Sequence, residues 1–508
     1  MRNLYGLFKE ALESTSKPIV ITENKKYSFQ EIDTITGQIA TILLNLGMKP
    51  EDRLAVQIKK SEYNLFLYLA CLRSGFIYLP LNSTYTNDEL DYFFNDAKPK
   101  VIICDPKKEK EISNIKSASN LHVKTLDNLG NGTLLSELHK INGSDIIYNS
   151  KPNDIAVILY TSGTTGKPKG AMLTHQGLYI NALDLNKTWG ISTNDTILHM
   201  LPLFHVHGLF FATHTALLSG ASLLLLPKFD NELFFKYLSY STIFMGVPTY
   251  YIRLLKDLRL NIENTKHIRL FISGSAPLLP STFNEFNSKT NHKILERYGM
   301  TETGINTSNP LNGERKIGSV GLPLPNVNIR IVDEDNKPVS INEIGSIQVK
   351  GPNLFLGYWQ NPIKTKEDMT NDGFFNTGDL GSVDEDGYLS ISGRSKDMII
   401  SGGLNIYPIE IETSINAIEG VIESAIIGIP HEDFGEAVIA VLEGDKSKLT
   451  EELIVLEVKK HHAPFKAPKK VIFIDQLPKN TMGKVQKNIL RDLYKDIFST
   501  NNSALSKV

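Results

Sequence analysis

Tyr160-Thr161-Ser162-Gly163-Thr164-Thr165-Gly166-Lys167-Pro168-Lys169-Gly170 sets three glycines, four Ser/Thr hydroxyls and two lysines within eleven residues. Glycine has no Cβ, so backbone N–H groups can crowd around an anion. The hydroxyls add donors and the lysines add positive charge, which together make a cradle for a polyphosphate. The spacing is not that of the common nucleoside triphosphatase loop, which puts four residues between its first glycine and its Gly-Lys pair. Here only Thr164 and Thr165 separate Gly163 from Gly166-Lys167. An apolar run at 155–160 leads in and a second at 171–173 leads out, before a helical pattern from Gln176. The loop is therefore expected to join two strands and not to open a helix.

The chain has 508 residues, more than a single core usually supports, so two or more domains are expected. Hydrophobic residues at 41% and charged residues at 22% describe an ordinary soluble protein. A net charge of −2 leaves no footprint for nucleic acid, so phosphate binding must be local. Cys71 and Cys104 stand far apart in apolar surroundings, as small buried hydrophobes do, and fit a reducing compartment. Residues 1–17 carry Lys9, Glu10 and Glu13 and lack the apolar core of a secretory signal. The apolar region 209–227 is interrupted by His214, Ser219, Gly220 and Ser222, too broken for a membrane span. The expectation is a cytoplasmic protein; monomer and dimer are both open.

Along the chain, Ser28 with Glu31 three residues on reads as a capping box, opening a helix that stops at Gly47. Residues 54–58 read as a strand and 64–73 as a helix ending near Gly75. Such alternation implies a parallel sheet covered on both faces. Residues 105–149 are polar, lysine-rich and poorly periodic, and are expected to be irregular and solvated, with a helix or two. Further on come Leu201-Pro202-Leu203-Phe204-His205-Val206-His207-Gly208, and Phe271-Ile272-Ser273-Gly274-Ser275-Ala276-Pro277, a strand running into a glycine turn, where ligands of open α/β sheets sit. Then follow Glu296-Arg297-Tyr298-Gly299-Met300-Thr301-Glu302-Thr303, Phe375-Asn376-Thr377-Gly378-Asp379 and Gly393-Arg394-Ser395-Lys396-Asp397. Ser401-Gly402-Gly403 comes next, and Leu477-Pro478-Lys479-Asn480-Thr481-Met482-Gly483-Lys484-Val485 stands near the end. After Lys396 the texture changes to a small α+β alternation, so residues 1–395 and 396–508 are read as two domains.

This ordered set, running from about Ser28 to Lys487, resembles the adenylate-forming superfamily of acyl-CoA synthetases, peptide-synthetase adenylation domains and luciferases. The resemblance implies a fold of layered α/β sheets with a smaller β subdomain, followed by a small mobile α+β domain that carries a catalytic lysine. It implies that Thr161, Ser162, Gly163, Thr164, Thr165, Gly166 and Lys167 hold the ATP phosphates. Gly274, Ser275 and Ala276 would pack against adenine, with Tyr298 and Gly299 flanking it. Asp379 and Arg394 would bind the ribose; an aspartate offers both oxygens to a diol. Thr301 and Lys484 would address the α-phosphate, and Glu302 would hold Mg2+, a hard cation suited to oxygen ligands. Lys396 corresponds to the hinge, and Gly402 and Gly403 to the strand beside the coenzyme A tunnel. His207 is read as satisfied core packing, and His205 as lying near the acyl pocket.

The phrases around His205, Arg297 and Asn306-Thr307-Ser308-Asn309-Pro310 resemble the malonyl-CoA synthetases within that superfamily. A dicarboxylate keeps one charge after the other carboxylate is activated, and burying that charge unpaired is costly. Arginine offers a planar bidentate partner, so Arg297 and Arg253, together with Ser275 and His205, are the expected acid-binding residues. Malonate is the expected acid, with ATP, Mg2+ and coenzyme A as the other participants. An acyl-CoA synthetase for another short-chain or dicarboxylic acid, and a free-standing adenylation enzyme loading a carrier protein, are the alternatives.

Overall fold

In the computed structural model of the chain, the described residues are 3–119, 121–136, 138–161, 168–402, 404–431, 433–480 and 483–498. Helix α1 (Phe29–Asn45) starts with the expected reciprocal cap. The Glu31 N–H donates to Ser28 Oγ at 3.2 Å, and the Ser28 N–H donates to Glu31 Oε2 at 2.9 Å. Strand β1 (Arg53–Gln57) and helix α2 (Glu62–Ser74) follow, and Gly75, at φ 71°, caps α2 in the left-handed conformation that favours glycine. Next come β2 (Ile77–Pro80), α3 (Asn87–Ala97), β3 (Val101–Cys104), β4 (His122–Thr125), β5 (Ile155–Thr161) and β6 (Lys169–Thr174). They form one sheet in the order β4-β3-β1-β2-β5-β6, parallel except for β6. Strands β5 and β6 pair antiparallel with Thr161 opposite Lys169. The glycine-rich segment thus joins two strands, as its flanks require.

The stretch 105–149 differs from the expected solvated connection. It contains β4 as an edge strand and buries Leu126 and Leu134. It is also tied down from below by Arg73 of α2, which is fully buried. Arg73 Nη2 donates to the Ser144 carbonyl at 2.7 Å, while Nη1 reaches Asp33 Oδ1 at 3.1 Å and Thr36 Oγ1 at 2.9 Å.

A second sheet is built from β7 (Thr196–His199), β8 (Ser222–Leu225), β9 (Ile243–Gly246), β10 (Leu270–Ser273), β11 (Leu295–Met300) and β12 (Gly304–Ser308). Its order is β12-β11-β10-β9-β7-β8, extended by Leu322–Pro323 at one edge and by Val20–Ile21 and Lys26–Tyr27 at the other. Strands β7 to β11 are parallel; β12 is antiparallel to β11, with a register shift at Tyr298/Gly299. Helix α4 (His175–Trp189), a π-helical turn (His207–Ala212) and helix α5 (Pro248–Leu255) belong to this half. A third, antiparallel sheet holds β13 (Asn328–Val332), β14 (Gly345–Lys350), β15 (Phe375–Val383) and β16 (Leu389–Arg394).

The last sheet, β17 (Ile399–Ser401), β18 (Leu404–Ile406), β19 (Val421–His431), β20 (Gly435–Gly444) and β21 (Lys470–Ile474), has its own apolar clusters. They share no member with the clusters formed by residues up to Ile391. Helix α6 (Lys487–Tyr494) packs on this last unit. Among the described residues, no helix is long and apolar enough to cross a membrane.

Arg73 is a buried cation held by several acceptors, and removing such a cation leaves those acceptors unpaired. Arg73→Met is expected to destabilise the first unfolding transition by about 3–5 kcal/mol, read as a lowered urea midpoint. An unchanged midpoint would show that the network contributes nothing net.

Candidate active site

At the carboxyl end of β11, Tyr298 meets Asp379 of the third sheet and Glu302 meets Thr161 at the end of β5. Glu302 follows β11 and is 5% exposed. Its Oε1 accepts from Thr161 Oγ1 at 3.3 Å and from the Tyr358 hydroxyl at 3.2 Å. Thr161 ends β5, beside this carboxylate. Burial raises the Glu302 pKa, and the hydrogen bonds from Tyr358 and Thr161 oppose that. A cation at this point would therefore be drawn to the carboxylate. One carboxylate and a neighbouring hydroxyl match a magnesium ion that takes its remaining ligands from phosphate oxygens and water. Among the described residues no cluster of three His, Cys, Asp or Glu side chains could hold a metal by itself. Thr301, next in line, helps to line a narrow cavity together with Val206, Phe211 and Gly304.

Asp379 and Arg394 are cross-strand partners on β15 and β16. Arg394 Nε meets Asp379 Oδ1 at 3.0 Å, and the Tyr298 hydroxyl donates to Asp379 Oδ2 at 2.5 Å. Asp379 raises the Arg394 pKa, while burial and then Asp379 raise that of Tyr298. Gly299 must be glycine, because a Cβ there would lie 2.1 Å from the Gly304 carbonyl.

Lys484 reaches this group from the last unit. The Lys484 N–H donates to Asn480 Oδ1 at 3.0 Å, closing a short loop. Gly483, with φ +77°, precedes Lys484 and lies so near α5 that a Cβ would come within 2.7 Å of Thr249 Cγ2. Lys484 is exposed as a residue. Even so, the protein around its ammonium, and then the charge of Arg394, draw its pKa down to about 8, with Asp379 and Asp397 pulling the other way. Lys396 lies exposed in the turn Ser395–Asp397, next to Asp397, which pairs with Arg491 of α6 at 2.8 Å. Gly402, at φ +59°, turns β17 into β18, and its N–H donates to the Phe434 carbonyl at 2.8 Å.

On β11, Arg297 is 3% exposed. Its guanidinium lies over the Phe211 ring at 5.2 Å and against Gly274, where a Cβ would fall 2.5 Å from Cζ. Nε and Nη2 find no acceptor among the described residues. Burial brings the Arg297 pKa down to about 9, and neighbouring Glu296 partly opposes this. Ser275 takes the left-handed conformation, φ +74°, unusual for a residue with a side chain. Its Oγ lies 3.3 Å from His207 Nδ1. His207 is fully buried with Nε2 unpartnered, and burial followed by the Arg297 charge keeps its pKa well below the ordinary value. Two unpaired edges of a cation and an unpaired ring nitrogen thus share one buried site, where an anion with several acceptor oxygens would satisfy them.

The structure brings together Thr161, Tyr298, Glu302, Asp379 and Arg394 in one group, with Lys484 near enough for the charges of Arg394 and Asp379 to act on it, and Gly274, Ser275 and Arg297 in the adjoining one. Ala276 continues the same turn, half-buried. His207, read from sequence as core packing, is the histidine beside Arg297 and Ser275. His205 is half-buried, with its ring 4.9 Å from that of Phe204 and its pKa drawn down to about 4 by burial. Arg253 is exposed on α5, one turn from Thr249, and forms no ion pair among the described residues. Ser162, Gly163, Thr164, Thr165, Gly166, Lys167 and Gly403 lie outside the described residues. Sequence reasoning missed Tyr358 and Glu296. Tyr358 carries no local signal; Glu296, beside Arg297 in the same phrase, could have been read as its counter-charge. The Glu296 carboxylate accepts from the Leu278 N–H at 3.0 Å and so pins the turn that carries Ser275.

A family model described as AMP-binding enzyme matches residues 7–359, and one described as AMP-binding enzyme C-terminal domain matches residues 410–484. A malonate–CoA ligase of Arabidopsis thaliana is 33% identical, the match covering 95% of this chain and 87% of that protein. An indoleacetate–CoA ligase of Aromatoleum aromaticum is also 33% identical, over 92% of this chain and 93% of its own length. The ATP-bound crystal structure of MatB from Rhodopseudomonas palustris superposes with a TM-score of 0.96 at 48% identity, covering 98% of this chain and all of that one.

The Lys484 environment sets a pH dependence. A lysine whose pKa is lowered loses its charge as pH rises through that value, so a step needing the ammonium is fully supported only below it. For pyrophosphate exchange with the acid substrate, kcat/KM for ATP reports the free enzyme and is expected to fall as pH rises through about 8. At saturating ATP the added negative charge should move the fall upward. The residual exchange of Lys484→Ala should show no such limb. A wild-type limb centred near the ordinary lysine value would refute the assignment.

Proposed function

We propose that this chain, which belongs to the AMP-binding enzyme family, is an ATP-dependent malonate–CoA ligase. Its relatives include a protein named for that reaction. The observation that carries the choice of acid is the buried guanidinium of Arg297 with Nε and Nη2 unpaired beside His207 and Ser275. A monocarboxylate would leave Nε and Nη2 without an acceptor. Malonate brings a second carboxylate to them.

In the first step one malonate carboxylate oxygen attacks the α-phosphorus of ATP. The bond to the bridging oxygen breaks, pyrophosphate leaves, and malonyl-AMP forms. Arg297, with His207 and Ser275, holds the distal carboxylate, so that the reacting one is fixed in position before the barrier is crossed. Lys484 and Thr301 face the charge that builds on the α-phosphate. Asp379, held by Tyr298 and Arg394, uses the remaining acceptor capacity of its two oxygens for the ribose hydroxyls. Magnesium bound through Glu302 would screen the negative charge of the triphosphate. In the second step the thiol of coenzyme A attacks the acyl carbon, AMP departs, and the thiol proton passes to solvent, giving malonyl-CoA. Lys484 is needed only in the first step. We take residues 396–508 as the unit that turns about Lys396 to remove it, with Gly402 and Gly403 brought in beside the thiol path. Buried free Cys71 and Cys104 suit the reducing cytoplasm.

Products of the purified protein with ATP, malonate and coenzyme A should be AMP, pyrophosphate and malonyl-CoA; ADP with an acyl phosphate would overturn the reading. Removing one partner of a buried charge pair costs about 3–5 kcal/mol. At about 1.4 kcal/mol per tenfold, Arg297→Ala should lower kcat/KM for malonate by roughly two to three decades. Acetate turnover should change little, so the malonate-to-acetate ratio collapses. A ratio equal to wild type would make Arg297 structural. Lys396→Pro, which fixes φ at the hinge, should retain pyrophosphate exchange while losing thioester formation. Equal loss in both steps would remove Lys396 from the hinge.

A further inference from the structure

We infer that Lys60 and His199 form a positioning pair for the acid pocket, holding the turn that presents His207 to Arg297. The inference rests on the acid-pocket reading above and adds two residues outside it.

Lys60 follows β1 in the first sheet, and His199 ends β7 in the second. The pair therefore spans the two halves that enclose the site. Lys60 Nζ donates to His199 Nδ1 at 2.8 Å and to the His199 carbonyl at 2.9 Å. The opposite ring nitrogen, Nε2, bonds to the Gly208 carbonyl at 2.8 Å. These contacts fix the tautomer. An Nδ1 that accepts from an ammonium must carry its lone pair, so the ring proton sits on Nε2 and is donated to Gly208. Burial, and then the Lys60 charge, keep His199 neutral.

Gly208 is the residue after His207 in the π-helical turn, a geometry that recurs at functional sites. Its carbonyl also accepts from Thr213 Oγ1 at 2.9 Å. Its Cα is pressed so closely on Pro202 that a Cβ would lie 2.2 Å from the Pro202 carbonyl. Gripped at the carbonyl and at Cα, Gly208 leaves His207 little freedom to turn away from Ser275 and Arg297. Lys60 makes no ion pair among the described residues, and burial alone draws its pKa well down. A desolvated ammonium spent on a neutral histidine is costly. The return is a ring held in one orientation next to the substrate.

The test uses the full-length enzyme and whichever acid the wild type turns over best. Lys60→Met keeps length and loses the donor; His199→Leu loses both ring contacts. His199→Gln can still accept from Lys60 through Oε1 and donate to Gly208 through Nε2. Lys60→Met and His199→Leu should each raise KM for the acid by about tenfold or more, with KM for ATP within about twofold of wild type. The double variant should be no worse than the poorer single one, as expected of residues acting as a unit. His199→Gln should stay within about threefold of wild type. The inference is overturned if Lys60→Met lowers the melting temperature while leaving the acid KM unchanged, or if both KM values rise together. Should Lys60→Met not fold, a folded His199→Gln whose acid KM rises as far as that of His199→Leu would overturn it equally. A wild type that prefers a monocarboxylate would refute the malonate assignment and leave this comparison intact, because the comparison is read on the preferred acid.

Discussion

A guanidinium sealed inside the second sheet with two N–H edges unpaired sets the terms for the residues around it. Arg297 can lie there because Gly274 leaves the space a Cβ would fill and because the face of Phe211 takes part of its charge. Glu296, next in the strand, opposes the loss of that charge, and burial holds the Glu296 pKa up at about 7. Ser275 is forced to positive φ at the turn that Glu296 pins. Strain of this kind persists where surrounding structure over-determines it, and it clusters at ligand sites. The folded protein carries an electrostatic cost that a bound anion relieves, so affinity and folding draw on the same residue.

The charged group next to it is arranged by a different balance. Asp379 and Glu302 supply negative charge, Arg394 and Lys484 positive charge, and Tyr298 bridges to Asp379. Arg394 depresses the Lys484 pKa while Asp379 raises it. A polyanion arriving beside this lysine would raise its pKa and give it a partner.

The apolar clusters on either side of residues 392–398 share no member. Asp397 is tied to Arg491 of α6, so the segment beyond Lys396 is anchored to the unit that carries Lys484. Gly483 permits close approach of the lysine loop to α5 in the arrangement seen here.

Much of this protein is written locally. The capping box of Ser28 and Glu31, the glycine stop at Gly75 and the hairpin around the phosphate segment depend on neighbours a few residues apart, so spacing alone decides them. The same holds for the Asp379–Arg394 pair only in part, since its two motifs were legible but their meeting across β15 and β16 needed the sheet. The identity of the pocket histidine was beyond the sequence. His205 and His207 differ by two residues in an apolar phrase, and the π-helical turn and the Gly208 contact with Pro202 decide which ring faces Arg297. Tyr358 reaches Glu302 across 56 residues and Lys60 reaches His199 across 139, with no pattern linking either pair. Arg253 shows the converse: a cation at a plausible spacing that the fold leaves exposed on α5. Local hydrogen bonds and backbone angles follow from adjacent residues, whereas which buried polar groups are left without partners is a property of the packed interior alone.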